Sequence, residues 1–231
     1  MPPPRLDAYS LASRLSFFLW NSGPDEAVLK AAETGHLVLS TLHTPDVART
    51  LNHIANVLLM SGEPRRSLGY SQRSLELRRE LLGPQHPRTI ATQQAIAEIL
   101  QSQGHFAEAL GYARGALAGL EQCHGPASPR LGPILVTIGQ ILYQQGQHAE
   151  SVATYRRALE HLTALRGPLH DDTLALQLDL GRALHRLGDP DAALVAFQHN
   201  LDGLRASAGS EHPRVAGTLH AIGQVHYIQG N

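Results

Sequence analysis

Apolar residues along most of this chain recur three and four positions apart, and the pattern restarts every 42 residues. Ile54, Ile96, Ile138, Leu180 and Ile222 form one column. The next column is always small: Ala55, Ala97, Gly139, Gly181 and Gly223. Three positions further on stand Leu58, Leu100, Leu142 and Leu184, with His226 interrupting the series. Spacings of three and four mark one face of a helix. A small residue on that face lets a neighbouring helix approach closely.

The punctuation keeps the same period. Gly62, Gly104, Gly146, Gly188 and Gly230 form one series, and Gly83, Gly125, Gly167 and Gly209 another. Pro45, Pro87, Pro129 and Pro213 form a third, with Asp171 in the fourth place. Proline suits the first turn of a helix and glycine its end. In the second period Pro87 opens a helix that stops at Gly104. Another starts near Phe106, carries Ala109, Leu110, Ala113, Ala116, Leu117 and Leu120, and ends near Gly125-Pro126. Each unit is therefore predicted to be a helix pair, with complete units at 44–85, 86–127, 128–169 and 170–211 and a partial unit at 212–231. One pair cannot bury both its faces, so stacked pairs give a continuous core and an all-α solenoid.

These residues resemble the tetratricopeptide repeat, with its small residue in the first helix, its glycine turn and its alanine-rich second helix. The 42-residue period and the segment "LLGPQHPRTIATQQAIAEILQSQGHFAEALGYARGAL" are similar to the kinesin-light-chain-like subclass over residues 44–231. The resemblance implies a right-handed superhelix of antiparallel helix pairs whose first helices line a concave groove, where family members bind peptides or proteins. The implied groove positions are Arg49, Asn52, Asn56 and Leu59; Gln94, Glu98 and Gln101; Val136, Gln140 and Tyr143; Leu178, Arg182 and His185; and His220, Gln224 and Tyr227. Amides, tyrosine and arginine suit extended backbone and carboxylates. Taken singly, each also fits a solvated helix face.

Residues 1–43 stand outside the repeat. The segment "LDAYSLASRLSFFLWNSGPDEAVLKAA" reads as a helix from about Asp7 to Trp20, a turn at Asn21–Pro24 and a second helix. It resembles part of a bacterial domain of unknown function found beside c-type cytochrome domains, notably in planctomycetes. Residues 31–50 resemble the histidine-box region of secretion and pilus-retraction ATPases, with His36 and His43 on its histidines. The chain has no CxxCH motif and no GxxxxGK[ST] loop, so neither haem attachment nor ATP hydrolysis is expected. The structural expectation for 5–32 is an N-terminal helical cap over the first repeat, with 36–43 helix or loop.

Composition narrows the chemistry. The chain is 42% hydrophobic and 17% charged, with 19 basic and 20 acidic residues and a net charge of −1. No basic excess exists to drive phosphate binding, so nucleic acid is not an expected partner, and the adjacent Arg78 and Arg79 read as a solvated face. A single cysteine, Cys123, precludes an intrachain disulfide. No run approaches the ~20 apolar residues of a membrane span, and the N-terminus lacks signal-peptide order. The expected location is cytoplasmic. The 14 histidines show no HExxH and no zinc spacing, and read as connector or surface residues. Glu108 and Glu150 sit where a helix macrodipole favours them. No catalytic residue, metal or cofactor is assigned.

The expected function is a scaffold holding a peptide or protein partner in the groove, not an enzyme. The alternative is a regulatory or substrate-docking part of a larger enzyme such as a kinase, an ATPase or a secretion component. Ile222, Val225 and Ile228 are expected to lack the cover their counterparts have, which suggests a longer chain or self-association through the last helix.

Overall fold

The computed structural model of the chain describes residues 45–229. The helices proposed for 7–32, and the segment 36–43 with His36 and His43, lie outside the described residues. Those described are helical hairpins with no strand, in two compact units that meet in sequence at His105 and Phe106.

The first unit contains α1 (Pro45–Met60), α2 (Pro64–Leu82) and α3 (Pro87–Ser102). α1 packs on α2 and α2 on α3. Val47, Ala48, Leu51, Ile54 and Leu58 of α1 close over Leu77 of α2, with Tyr70 at the edge. Two serines of α2 tie the pair through backbone: Ser67 Oγ donates to the carbonyl of Ala55 at 2.7 Å, and Ser74 Oγ to that of Ala48 at 2.7 Å.

The second unit contains α4 (Phe106–His124), a 3-10 turn (Pro129–Leu131), α5 (Gly132–Gln144), α6 (His148–Arg166), α7 (Asp171–Leu187), α8 (Pro190–Ala208) and α9 (Pro213–Gln229). Each helix packs on the next. The core runs through Leu135, Tyr155, Leu162, Leu180, Leu184, Phe197 and Val225. Burying each large aliphatic side chain is worth roughly 1.5–3 kcal/mol, which is what holds hairpins too short to be stable alone.

The helix boundaries follow the sequence punctuation. Pro64, Pro87 and Pro190 lie in the first turns of their helices. All eight glycines of the two periodic series within 45–229 have positive φ, from 77° to 91°. At Gly188 this left-handed turn brings its N–H onto the carbonyls of Leu184 and His185, closing α7.

The histidines hold one surprise. His86, Ser128, His170 and His212 share a column at helix N-termini, where each side chain accepts from the backbone N–H two residues on. The histidine Nδ1 distances are 3.1, 3.2 and 3.3 Å, so three histidines do the work usually given to serine or aspartate. His161, by contrast, is buried in α6 rather than on the surface.

A second period of two units also appears. Thr89 Oγ donates to the carbonyl of Gly83 at 2.9 Å, and Thr173 Oγ, 84 positions later, to that of Gly167 at 2.9 Å. Ser67 to Ala55 is matched, again 84 positions on, by Ser151 Oγ to the carbonyl of Gly139 at 2.8 Å.

Two expectations are corrected. Arg78 is not on a solvated face. It is 8% exposed, occupies the column that holds Leu120, Leu162 and Leu204, and donates to the Arg88 carbonyl and to Thr92 Oγ. Desolvation, then repulsion from Arg88, pulls its pKa down. Val225 does not lack cover. It is 1% exposed within the core that holds Phe197, whereas Ile228 on the same helix is 69% exposed.

Candidate functional site

The groove positions all lie on α1, α3, α5, α7 and α9, the first helix of each sequence unit. Asn52 and Asn56 are four apart and so share a stripe about half a turn round from Ile54. The core-forming columns claim one side of each helix and leave this stripe mostly to polar residues, with Leu59, Val136 and Leu178 the apolar exceptions.

In the first unit Arg49 and Asn56 are exposed and Asn52 is half-buried on α1. Leu59 is exposed as well. On α3, Gln94 donates to the exposed Glu98 carboxylate at 3.1 Å, one turn along the helix, and Gln101 is half-buried.

In the second unit the stripe is more connected. Gln140 of α5 donates Nε2–H to Asp179 Oδ2 of α7 at 3.4 Å, and Arg182 Nη1 reaches Asp179 Oδ1 at 3.3 Å. Gln140 and Arg182 thus meet on one carboxylate. Tyr143 makes a tilted ring contact with His148 at 5.3 Å. Val136, Tyr143 and Leu178 pack against the core with part of their surface, so they are floor rather than free contacts. His185 is half-buried on α7. On α9, Gln224 and His220 pair through their Nε2 atoms at 3.0 Å, and Tyr227 is exposed.

Asp179 was not legible as a site residue from helix-face reasoning, yet it is the electrostatic centre of this stripe. Its side chain is 27% exposed. Burial raises its pKa from the ordinary aspartate value, and the hydrogen bond from Gln140 and the charge of Arg182 offset only part of that. Beneath it lies Tyr155 of α6, whose phenol is pushed upward by burial and by the Asp179 charge. Tyr155 reaches that position by passing over Gly139. A Cβ there would sit 2.5 Å from its Cδ1. The sequence did carry one signal: the column reads His53, Ala95, Thr137, Asp179 and Ala221, so Asp179 is its single acid.

This arrangement offers donors, acceptors and one partly buried carboxylate, all fixed on rigid helices. Among the described residues no group of three or more His, Cys, Asp or Glu side chains could hold a metal ion.

A tetratricopeptide repeat model matches residues 46–122 and 131–206. The chain belongs to the tetratricopeptide repeat family. A second model, a protein of unknown function (DUF1592), matches residues 6–59 and so overlaps α1. No curated protein matches in sequence. Among solved structures, BtubC (BKLC) from P. vanneervenii is similar at 18% identity and a TM-score of 0.69, covering 90% of this chain and 85% of that one. The nearly identical TPR-like repeats of Podospora anserina assigned to kinesin light chain are similar at 17% identity and a TM-score of 0.66, covering 89% and 99%. YrrB, a TPR protein with an unusual peptide-binding site, is similar at 18% identity and a TM-score of 0.57, covering 89% and 85%. At these identities the likeness shows the fold, an all-α solenoid of tetratricopeptide helix pairs with kinesin-light-chain-type neighbours. Among the described residues no helix of this tetratricopeptide array is long and apolar enough to cross a membrane.

Proposed function

We propose that this tetratricopeptide array is a protein-interaction scaffold that binds a peptide or protein partner through the polar stripes of its first helices. The observation that carries the proposal is the placement of amides. Asn52 and Asn56, Gln94, Gln140 and Gln224 sit on the stripe of α1, α3, α5 and α9 respectively. An amide both donates and accepts, so each can pair with extended backbone whatever its side chains are. On α7 the stripe carries Arg182, His185 and Asp179 instead, which would read side-chain charge. YrrB, of the same fold, is a TPR protein with a peptide-binding site, which supports a peptide as ligand class. A protein rather than nucleic-acid partner fits the near-neutral charge.

The test is selection of peptides from a random display library on the full chain. Their affinity is then measured for a variant with Asn52, Asn56, Gln94 and Gln140 changed to alanine. These side chains leave the core untouched, so circular dichroism should not change. Loss of most selected peptides is the expected result. Equal affinity for both proteins would reject the groove.

A further inference from the structure

Asp179 has two partners, and neither holds it closely. Gln140 Nε2 donates to Oδ2 at 3.4 Å and Arg182 Nη1 to Oδ1 at 3.3 Å, whereas a charged pair at its best closes in to about 2.7–2.9 Å. The Asp179 side chain is 27% exposed and that of Arg182 52%. The carboxylate therefore keeps one edge in water, and its resident cation has room to move. Burial still outweighs both partners, since the pKa of Asp179 stays raised.

Arg182 meets Asp179 from a position that looks past it. Gln140 reaches Asp179 from 39 positions back, one first helix to the next. The residue in the same relation to Arg182 is Ala221 of α9, which is buried and carries no charge. Arg182 turns instead to the acid three positions behind it on its own helix. None of the groove positions of the second unit is acidic, so Asp179 is the one place on this stripe that favours a cation.

A partner lying on α5 and α7 covers the wet edge of Asp179. An ionised carboxylate shut away from water is costly unless strong donors replace the water. The covering side chain has to bring N–H groups, and a positive charge serves best. A guanidinium offers parallel N–H groups to both oxygens and lies well on an aromatic face. The ring of Tyr143 is on hand for that: it is half-buried three positions from Gln140, and it and Asp179 both bear on the Tyr155 phenol.

We propose that the segment bound on α5 and α7 carries an arginine whose guanidinium takes Asp179 over from Arg182. The proposal rests on the reading of the polar stripes as the binding surface and adds the side chain they select. Arg182 moves outward, where about half of its side chain already lies in solvent.

The test compares peptides selected from one random display library on the full wild-type chain and on Asp179→Asn, which keeps the shape of the side chain. Arginine should be enriched at one aligned place on the wild type and not on the variant. For one such peptide, replacing that arginine by the neutral citrulline should weaken binding at least tenfold to the wild type, read by fluorescence anisotropy, and less than twofold to Asp179→Asn. Arg182→Gln, which removes the resident competitor, should bind the arginine peptide at least threefold more tightly. Selected peptides that lose affinity for the four-amide variant but show no arginine preference would overturn this proposal and leave the binding surface standing. So would a citrulline effect of equal size on both proteins, or weaker binding by Arg182→Gln. Peptides indifferent both to the amides and to Asp179 would remove the two readings together.

Discussion

Adding one methyl group at three equivalent glycines should give opposite effects on stability. Gly139→Ala and Gly181→Ala drive a Cβ into rings that are almost fully buried and so cannot swing away. Overpacking of this kind costs about 1–3 kcal/mol. All three glycines are helical, and replacing glycine by alanine within a helix returns about 0.5–1 kcal/mol. At Gly223 only that gain operates, because the Cβ meets nothing within 4 Å. The propensity contribution is common to all three, so Gly223→Ala minus Gly139→Ala isolates the clash. For a chain of this length each kcal/mol moves Tm by about 2–4 °C. Gly223→Ala should melt slightly above wild type and the other two below it. Thermal melting followed by circular dichroism gives the order, and hydrogen exchange across α5 and α6 localises the loss. In a Tyr155→Ala background, Gly139→Ala should turn stabilising, since the ring it struck is gone. If all three substitutions moved Tm alike in the wild-type chain, the ring-seat reasoning would be wrong.

Three further outcomes are expected. Asp179→Asn should stabilise the protein at neutral pH: its folded pKa is raised, so the folded state holds its proton more tightly than the unfolded chain and stability is lost as pH rises through that raised value. Melting from pH 3 to 8 should show the two proteins converging in the acid range, whereas a variant destabilised at every pH would refute a desolvated Asp179. Replacing His86, His170 or His212 by alanine should cost about 1 kcal/mol each, with serine restoring most of it as Ser128 does in the same column; urea midpoints that treat alanine and serine alike would exclude capping. Arg78→Met should leave the denaturation midpoint unchanged or raise it, because a buried guanidinium with no carboxylate partner among the described residues gives way to an apolar chain in a leucine column; a large drop would show that its bonds to Arg88 and Thr92 hold α3 in place.

The hairpins were legible because their cause is local. Glycines at positive φ, prolines in first turns and apolar spacings of three and four act within a few residues, so they survive in one dimension. The N-caps were harder, since histidine is a weak marker for a role that serine at position 128 plays in the ordinary way. Arg78 and Asp179 were missed for a different reason. Helix-face reasoning assigns a residue from its own stripe, but both are exceptions within a 42-residue column, where the rest are leucine or mostly small and neutral. Reading down columns would have flagged both, although not their neighbours Arg88 and Tyr155.

The two-unit recurrence has a physical consequence for binding. Hydrogen bonds that recur 84 positions apart, such as Thr89 to Gly83 and Thr173 to Gly167, mean that successive units are not equivalent. The ring seats differ too: glycine with an aromatic in the third and fourth units, alanine with a small residue in the first two. Binding positions on such units therefore do not all offer the same contact. The amides of α1 and α3 offer backbone pairing, while the second unit adds the Asp179 carboxylate, which lies close to Tyr155 and so depends on the ring that Gly139 admits. The same glycine-for-ring exchange that packs the core therefore also bears on the partly buried carboxylate of the proposed groove, so Gly139→Ala should disturb recognition at Asp179 as well as stability.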